Sequence, residues 1–223
     1  MALDYNGVEK VISGGQTGAD QTALKCAKDI GLKTGGTAPL GFQTSTGKSL
    51  ALRWLYGLNE LECHKQTPLP AQYACRSMRN VDNSDGSMAF RTHKSPGTDN
   101  TISYCQRKVW GKPDLISNLP SSYKPVFIVH PILLTGKFSD KFHSLIWESE
   151  VERAKEFLQK HQIRTLNVFG HRAKFNDDTF EQKVYEFLKE ALNPQSKQTS
   201  LLDECIGRSM SSSSEGTVLH SLC

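Results

Sequence analysis

The sequence lacks the features that would place it in a membrane or on a nucleic acid. It has no uninterrupted apolar run of about 18 residues, the length that a membrane-spanning helix needs. Its formal net charge is only +4, whereas a dedicated nucleic-acid binder usually carries a strong basic stripe. The first residues match neither a signal peptide nor a myristoylation site. We therefore expect a cytoplasmic protein with no membrane and no nucleic-acid partner.

Cysteine and the common catalytic motifs are also scarce. Six cysteines occur in 223 residues and none forms a C-x-x-C pair, so reduced thiols are expected rather than disulfides. No H-E-x-x-H motif and no cysteine–histidine cluster is present, which disfavours a metal ion held by the protein. There is no G-x-S-x-G elbow, no Ser-His-Asp order and no evident acid–base pair of carboxylates. This combination favours a binding protein over an enzyme.

What the sequence does contain is a glycine-rich turn between a predicted strand and a predicted helix. An apolar run over 8–13 leads into Gly14–Asp20, and a helical pattern of small apolar residues follows over 19–30. Backbone N–H groups and the dipole of a helix N-terminus suit a phosphate at such a turn. The turn is neither the G-x-G-x-x-G fingerprint nor a P-loop. A turn that only packs the strand on the helix is the alternative.

Further strands alternate with helices along the chain. Apolar runs predict strands over 87–91, 125–129 and 165–169, and periodic apolar residues predict helices over 100–109, 147–161 and 178–191. Residues 76–81 fit either a short helix or an extended arm, 43–75 look irregular, and 32–42 and 132–145 are predicted as loops. The alternation predicts an α/β fold with a mainly parallel sheet.

The chain changes character near its C-terminal end. Residues 193–223 contain eight serines and few apolar residues, a composition typical of disorder. We therefore predict a folded domain over 1–192 and a serine-rich disordered tail over 193–223.

Four glycine-bearing turns are predicted to converge at the carboxyl ends of the strands, where open α/β sheets bind ligands. They are Gly14–Asp20, Ser84–Gly86, Ser95–Thr98 and Gly170–Arg172. Their N–H and hydroxyl groups suit phosphate oxygens, and Arg172 and Arg76 could pair with a phosphate. Asp20 or Asp85 could accept from the ring N–H of a heterocycle. The alternative for each arginine is a solvated surface charge, and the alternative for Asp20 is an electrostatic role in the first turn of the helix. The candidate binding residues are Gly14, Gly15, Gln16, Thr17, Gly18, Asp20, Arg76, Asn80, Ser84, Asp85, Gly86, Ser95, Gly97, Thr98, Thr101, Gly170 and Arg172.

These motifs, in this order, resemble the molybdenum cofactor carrier family, a Rossmann-like group related to nucleotide-binding proteins of the lysine-decarboxylase-like superfamily. The resemblance spans about residues 8–192. It is carried by Ser13–Asp20, Lys33–Gly36, Pro39–Phe42, Tyr56–Leu58, Tyr73, Arg76, Asn80–Val81, Ser84–Gly86, Ser95–Thr98, Thr101, Leu166–Val168, Gly170 and Arg172.

The resemblance implies a Rossmann-like three-layer domain that assembles as a homotetramer. It also implies that the protein binds the molybdenum cofactor (molybdopterin with its metal) without catalysis and delivers it to molybdoenzymes. The pterin dithiolene holds the metal, so no protein ligand is needed. The sequence departs from the family pattern in three places: His171 stands where proline is frequent, the Pro39–Thr46 loop lacks a basic residue, and the connections over 109–124 and 130–146 look longer.

Two other functions remain open at this level. Related superfamily members hydrolyse nucleoside monophosphates with a glutamate shortly after a Gly-Thr pair, but here Gly97-Thr98 is followed by Asp99, Asn100 and Thr101. A nucleotide-sensing or scaffold module, which recruits a partner through the serine-rich tail, is the third hypothesis.

Overall fold

A computed structural model describes residues 7–106, 124–135, 140–172 and 178–192. The predicted tail over 193–223 lies outside these residues. In chain order, the described residues form β1 (Lys10–Ile12), α1 (Ala19–Asp29), β2 (Lys33–Gly35), β3 (Thr37–Ala38), a 3-10 turn (Leu40–Phe42), β4 (Gln43–Thr44), β5 (Gly47–Lys48), α2 (Ala51–Tyr56), β6 (Asn59–Glu60), α3 (Leu69–Asp82), β7 (Gly86–Phe90), α4 (Pro96–Cys105), β8 (Val126–Val129), α5 (Pro131–Thr135), α6 (Asp140–Lys160), β9 (Thr165–Gly170) and α7 (Asp178–Leu192).

Five of the strands form one sheet in which every pairing is parallel. Its order is β2-β1-β9-β7-β8, so the strand that comes last in the chain lies in the middle. Strands β3 and β6 form a small parallel pair, and β4 with β5 forms a short antiparallel hairpin. The predicted α/β fold with a mainly parallel sheet is confirmed.

Helices cover both faces of the sheet. Alternate residues of a strand face opposite sides: Met88 and Phe90 of β7 pack in a core with α1, α6 and α7, whereas Ala89 packs in a second core with α3 and α4. All five residues of β7 are buried, as expected for a central strand covered on both faces. The fold therefore has three layers, as the Rossmann-like resemblance implied.

Helix α3 is the main element that the sequence did not predict. It runs for 14 residues with a proline in its first turn, through a region expected to be irregular up to residue 75. Its buried positions include Gln72, Arg76 and Asn80, spaced four residues apart. Apolar periodicity does not mark this face because three of its four buried residues are polar.

Two predicted loops also contain regular structure. The segment over 132–145 includes most of α5 and the start of α6, so the surface-loop prediction there was wrong. The loop over 32–42 supplies β2, an edge strand that pairs with β1 over only three residues. None of the described helices is both long and apolar enough to cross a bilayer.

The turn at Ser84–Gly86 lies at the opposite end of the strands from the one predicted. It precedes β7 and therefore sits at the amino ends of the strands. The Asp85 carboxylate accepts from the N–H groups of Arg164 (3.0 Å) and Thr165 (2.7 Å), where β9 begins. Ser84 donates to the carbonyl of Val81 at the end of α3. Asp85 thus connects the starts of β7 and β9, and Ser84 closes the end of α3. None of Ser84, Asp85 and Gly86 is brought to the carboxyl ends of the sheet.

Replacing Asp85 should therefore lower stability and leave ligand binding unchanged. Asp85→Ala removes an acceptor from two backbone N–H groups, so we expect a loss of about 1–2 kcal/mol in the free energy of unfolding, similar to the loss of a helix cap. Chemical denaturation measures the loss. If Asp85→Ala kept its stability but no longer bound ligand, Asp85 would have to be part of the binding site, which would contradict this structural role.

Candidate functional site

A cleft of about 500 Å³ opens at the carboxyl ends of the central strands, a volume in the usual range for small-molecule sites. Its walls come from the turn after β1, one face of α3, the start of α4 and the turn after β9. The lining residues are Gln16, Asp20, Pro70, Tyr73, Ala74, Arg76, Ser77, Met78, His93, Ser95, Gly97, Thr98, Asn100, Thr101, Phe169, Gly170, His171 and Arg172.

A buried ion pair joins three of these walls. Nη1 of Arg76 on α3 lies 3.0 Å from Oδ2 of Asp20, and both side chains are almost completely buried. The same carboxylate accepts from the N–H of Gln16 and from the N–H of Gly170. Burial raises the pKa of Asp20 above its ordinary value, while the Arg76 guanidinium and the two N–H donors oppose that shift. These bonds fix the floor of the cleft.

Gly14 makes room for this ion pair. A Cβ at position 14 would overlap the guanidinium of Arg76. Gly15 has a φ of +73°, and a Cβ there would press on Leu52 and Leu58. Both glycines therefore serve packing, which is the alternative that the sequence left open for this turn, and neither lines the cleft.

The protein's own carboxylates occupy two N–H donors of the glycine turn. The N–H of Gln16 donates to Asp20, and the N–H of Gly18 donates to Oε1 of Glu181 on α7 at 3.0 Å. Thr17 is also engaged, with its hydroxyl 2.7 Å from that of Ser45 on the hairpin. A phosphate at this turn would meet two carboxylates, so the turn after β1 is a poor anion cradle.

The N-terminus of α4 is a better place for an anion. The first N–H groups of a helix have no intrahelical acceptor, and here those of Gly97 and Thr98 belong to residues that line the cleft. The Ser95 side chain does not cap the helix, and the space beside Gly97 is open. Asp99, the acidic residue in this turn, pairs instead with Arg91 and with the N–H of Ser95.

Three buried side-chain donors on the cleft wall have no hydrogen-bond partner among the described residues. They are Nε2 of Gln16, Nε of Arg76 and Nε2 of His171. The orientation of the Gln16 amide follows from its other end, because Oε1 accepts from the N–H of Ser45 at 3.0 Å. An unmatched buried donor costs stability, and three around one cleft indicate a ligand rich in acceptors.

The turn after β9 adds a cation and an aromatic contact. The Arg172 guanidinium lies 5.2 Å from the centre of the Tyr73 ring on α3, within the range of a cation–π interaction. Arg172 is otherwise exposed, so its donors are available to a ligand at the mouth of the cleft.

The structure brings together about half of the predicted site. Asn80 is not in the cleft, because its amide bonds to both the N–H and the carbonyl of Thr37. The residues predicted and found in the cleft are Gln16, Asp20, Arg76, Ser95, Gly97, Thr98, Thr101, Gly170 and Arg172. Those predicted but not lining it are Gly14, Gly15, Thr17, Gly18, Asn80, Ser84, Asp85 and Gly86.

The sequence analysis missed the aromatic walls of the cleft. Tyr73 carries no motif beyond the family resemblance, and His93 and His171 are isolated histidines whose meeting depends on the fold. In the sequence, only the neighbouring candidates Gly170 and Arg172 indicate that His171 lies near the site. Over the described part of the chain, no group of three or more metal-ligating side chains occurs.

Comparison with known proteins places the chain in a family. A family model described as "Circularly permutated YpsA SLOG family" matches residues 11–128, more than half of the chain. The chain belongs to this family. Its structure is similar to the crystal structure of a protein named "Putative molybdenum carrier protein" from Syntrophus aciditrophicus SB, with a TM-score of 0.63 and 23% identity over 84% of this chain and 97% of that one. No curated protein sequence matches.

The circular permutation that names the SLOG family is visible in the strand order. If the sheet strands are counted from β9, the order β2-β1-β9-β7-β8 becomes 3-2-1-4-5, the doubly wound Rossmann order. The turn at Gly170–Arg172 then takes the place of the first strand-to-helix turn, where Rossmann folds hold phosphates. The predicted Rossmann-like fold is confirmed, and the family that the chain belongs to is the permuted SLOG family.

The ion pair at the floor of the cleft should be essential for stability. Asp20→Asn leaves Arg76 buried beside a neutral amide, so we expect a loss of about 3 kcal/mol in the free energy of unfolding. The matched control is Glu9→Gln, which breaks an exposed pair with Arg164 at 3.4 Å and should cost less than about 1 kcal/mol. Equal losses in the two variants by chemical denaturation would contradict this role.

Proposed function

We propose that this protein binds the molybdenum cofactor in the cleft, protects it and delivers it intact to molybdoenzymes. The observation that carries the proposal is the set of three buried donors without partners around one cleft. Molybdopterin presents carbonyl, ring-nitrogen and phosphate acceptors that could match them. The name of the structurally similar protein points the same way.

We assign the phosphate of the ligand to the N-terminus of α4 and to Arg172. The N–H groups of Gly97 and Thr98 in the first turn of α4, the hydroxyl of Ser95 and the helix dipole favour an anion there. This differs from the sequence-based hypothesis, which placed the phosphate at Gly14–Asp20, because carboxylates already accept from that turn. The pterin would then lie deeper, against α3 and the turn after β9.

The cleft supports binding better than hydrolysis. Among its lining residues, Asp20 is the one carboxylate, and its bonds to Arg76, Gln16 and Gly170 hold it in a structural role. A general base must reach the proton that it abstracts. The other candidates for a base in the cleft are His93 and His171, and Nδ1 of His171 already accepts from the N–H of Thr92. Because the metal of the cofactor is held by its dithiolene, the protein needs to supply no metal ligand. We therefore propose a non-enzymatic carrier.

We propose a cofactor-binding domain over 1–192, with a serine-rich disordered tail over 193–223, that assembles as a homotetramer in the cytoplasm. Molybdoenzymes are the proposed recipients. Size-exclusion chromatography with light scattering tests the assembly, and a chain truncated after residue 192 tests the domain boundary.

One observation favours a second candidate, a nucleotide-binding or nucleoside-monophosphate-hydrolysing protein. The strand order places the cleft where Rossmann folds bind nucleotides. Incubation with a panel of nucleoside monophosphates, followed by chromatography for free base, separates the two functions. Release of free base would favour the enzyme.

Equilibrium titration with the molybdenum cofactor is the direct test of the carrier function. We expect saturable binding at about micromolar affinity or tighter, which corresponds to about −8 kcal/mol, and activation of an apo-molybdoenzyme by the loaded protein. Simple nucleotides are the matched control ligands. Absence of saturable binding, or equal affinity for nucleotides, would overturn the proposal.

Gln16→Glu tests whether the Nε2 donor of Gln16 binds a hydrogen-bond acceptor of the ligand. The two side chains have nearly the same shape, and Glu can still accept from the N–H of Ser45. The change replaces the free donor with a buried carboxyl beside Asp20, so we expect a loss of stability that chemical denaturation measures, and about a tenfold to hundredfold loss of cofactor affinity in the protein that is folded. Glu9→Gln outside the cleft should leave affinity unchanged. Unaltered binding by the Gln16 variant would show that this donor does not contact the ligand.

A further inference from the structure

His171 is held in the cleft wall by its backbone. Its N–H donates to the carbonyl of Phe90 at the end of β7 (2.9 Å), and its own carbonyl accepts from the N–H of Ala19 at the start of α1 (3.1 Å). The side chain is 8% exposed. Its ring lies 4.2 Å from that of His93, centre to centre. The position of the imidazole is thus set by three elements of the fold.

The hydrogen bonds of the ring define its tautomer. The backbone N–H of Thr92 donates to Nδ1 at 3.2 Å, and a backbone N–H can only donate. Nδ1 must therefore be the acceptor, which leaves the proton on Nε2. No acceptor among the described residues meets that N–H in hydrogen-bond geometry, although the backbone of His93 lies close enough to the ring to favour its protonation. Nε2 is consequently a buried donor with a fixed direction and no acceptor.

The surroundings of the ring favour its neutral form. Burial lowers the pKa of His171, and the neighbouring His93 and Arg91 act in the same direction. The backbone of His93 and the carboxylate of Asp99 act against them. Protonation would also place a hydrogen on Nδ1, facing the N–H of Thr92. The Phe180 ring, 6.4 Å away on another side, carries no charge.

We propose that His171 determines ligand specificity by donating its Nε2–H to a carbonyl oxygen or ring nitrogen in the plane of a heterocycle. This rests on the proposed function, in which the cleft holds a phosphate-bearing heterocycle. A neutral donor suits an uncharged acceptor, whereas the phosphate is assigned to the N-terminus of α4 and to Arg172. The flat faces of Tyr73 and His93 in the same cleft suit a planar ring.

Two substitutions at position 171 separate the donor from the volume of the ring. His171→Phe keeps an aromatic ring but removes the donor, so affinity for the molybdenum cofactor should fall about tenfold to a hundredfold. His171→Gln places an amide donor near the position of Nε2 and should recover part of the loss. The matched control is His161→Phe, which changes an exposed histidine outside the cleft and should leave affinity unchanged. Unfolding measurements verify that each variant folds.

A second ligand and a spectroscopic signal make the test specific. Inorganic pyrophosphate probes the anion end alone, so its affinity should be the same in wild-type protein and His171→Phe. Nitrogen-15 NMR should show the Nε2–H tautomer in the free protein and a shift of that resonance when the cofactor binds.

The outcomes distinguish this inference from the proposed function. If the wild-type protein binds the cofactor and His171→Phe binds it equally well, the role of His171 is overturned while the carrier function stands. A matching loss of pyrophosphate affinity would mean that His171 reads the anion, which also overturns the inference. If the wild-type protein binds no cofactor, the proposed function fails and the inference fails with it.

Discussion

The cleft depends on the buried ion pair between Asp20 and Arg76. The pair joins the start of α1 to the middle of α3, and the Asp20 carboxylate also accepts from the end of β9. A buried ion pair adds little net stability compared with apolar packing, but breaking it is costly. Its effect here is geometric, because it fixes three separate segments of chain around one space. Gly14 belongs to this arrangement, since any side chain there would displace the guanidinium.

The sequence predicted most of the longer elements whose buried faces are apolar, but it missed the short helices α2 and α5. The strands at 87–91, 125–129 and 165–169 and helix α1 lie within a few residues of their predicted bounds. It failed at α3, where the residues buried at four-residue spacing are Gln72, Arg76 and Asn80. Each of them can be buried because it has a specific partner. Gln72 accepts from the N–H of Leu40, Arg76 pairs with the Asp20 carboxylate, and Asn80 bonds to the backbone of Thr37. Such distant partners cannot be predicted from the composition or the periodicity of the helix.

The candidate site was only partly predictable, for a related reason. Glycine turns identify flexible backbone, but the end of the sheet on which a turn lies depends on strand direction. Ser84–Gly86 precedes its strand and therefore lies at the wrong end, whereas Ser95–Thr98 and Gly170–Arg172 follow theirs. Likewise, the donors of the first glycine turn looked free in the sequence, but Glu181, 163 positions away from Gly18, accepts from it. Such long-range partners decide whether a turn binds a ligand or serves the fold.

The permuted order of the strands explains why the turns after the first and the last described strands meet at this cleft. Strand β9 lies beside β1, so the turn after the last strand faces the turn after the first. Donors from both turns, Gln16 from one and His171 from the other, lack partners there. Each unmatched buried donor costs about 1–3 kcal/mol in the unliganded protein, a cost that apolar residues of similar size would avoid. A matching acceptor recovers that free energy on binding, so the cleft exchanges stability of the free protein for affinity. Because the donors are already fixed by Ser45 and Thr92 before a ligand arrives, little ordering remains to oppose association. Pre-positioned donors of this kind match the proposed role, in which the cleft holds an acceptor-rich molecule.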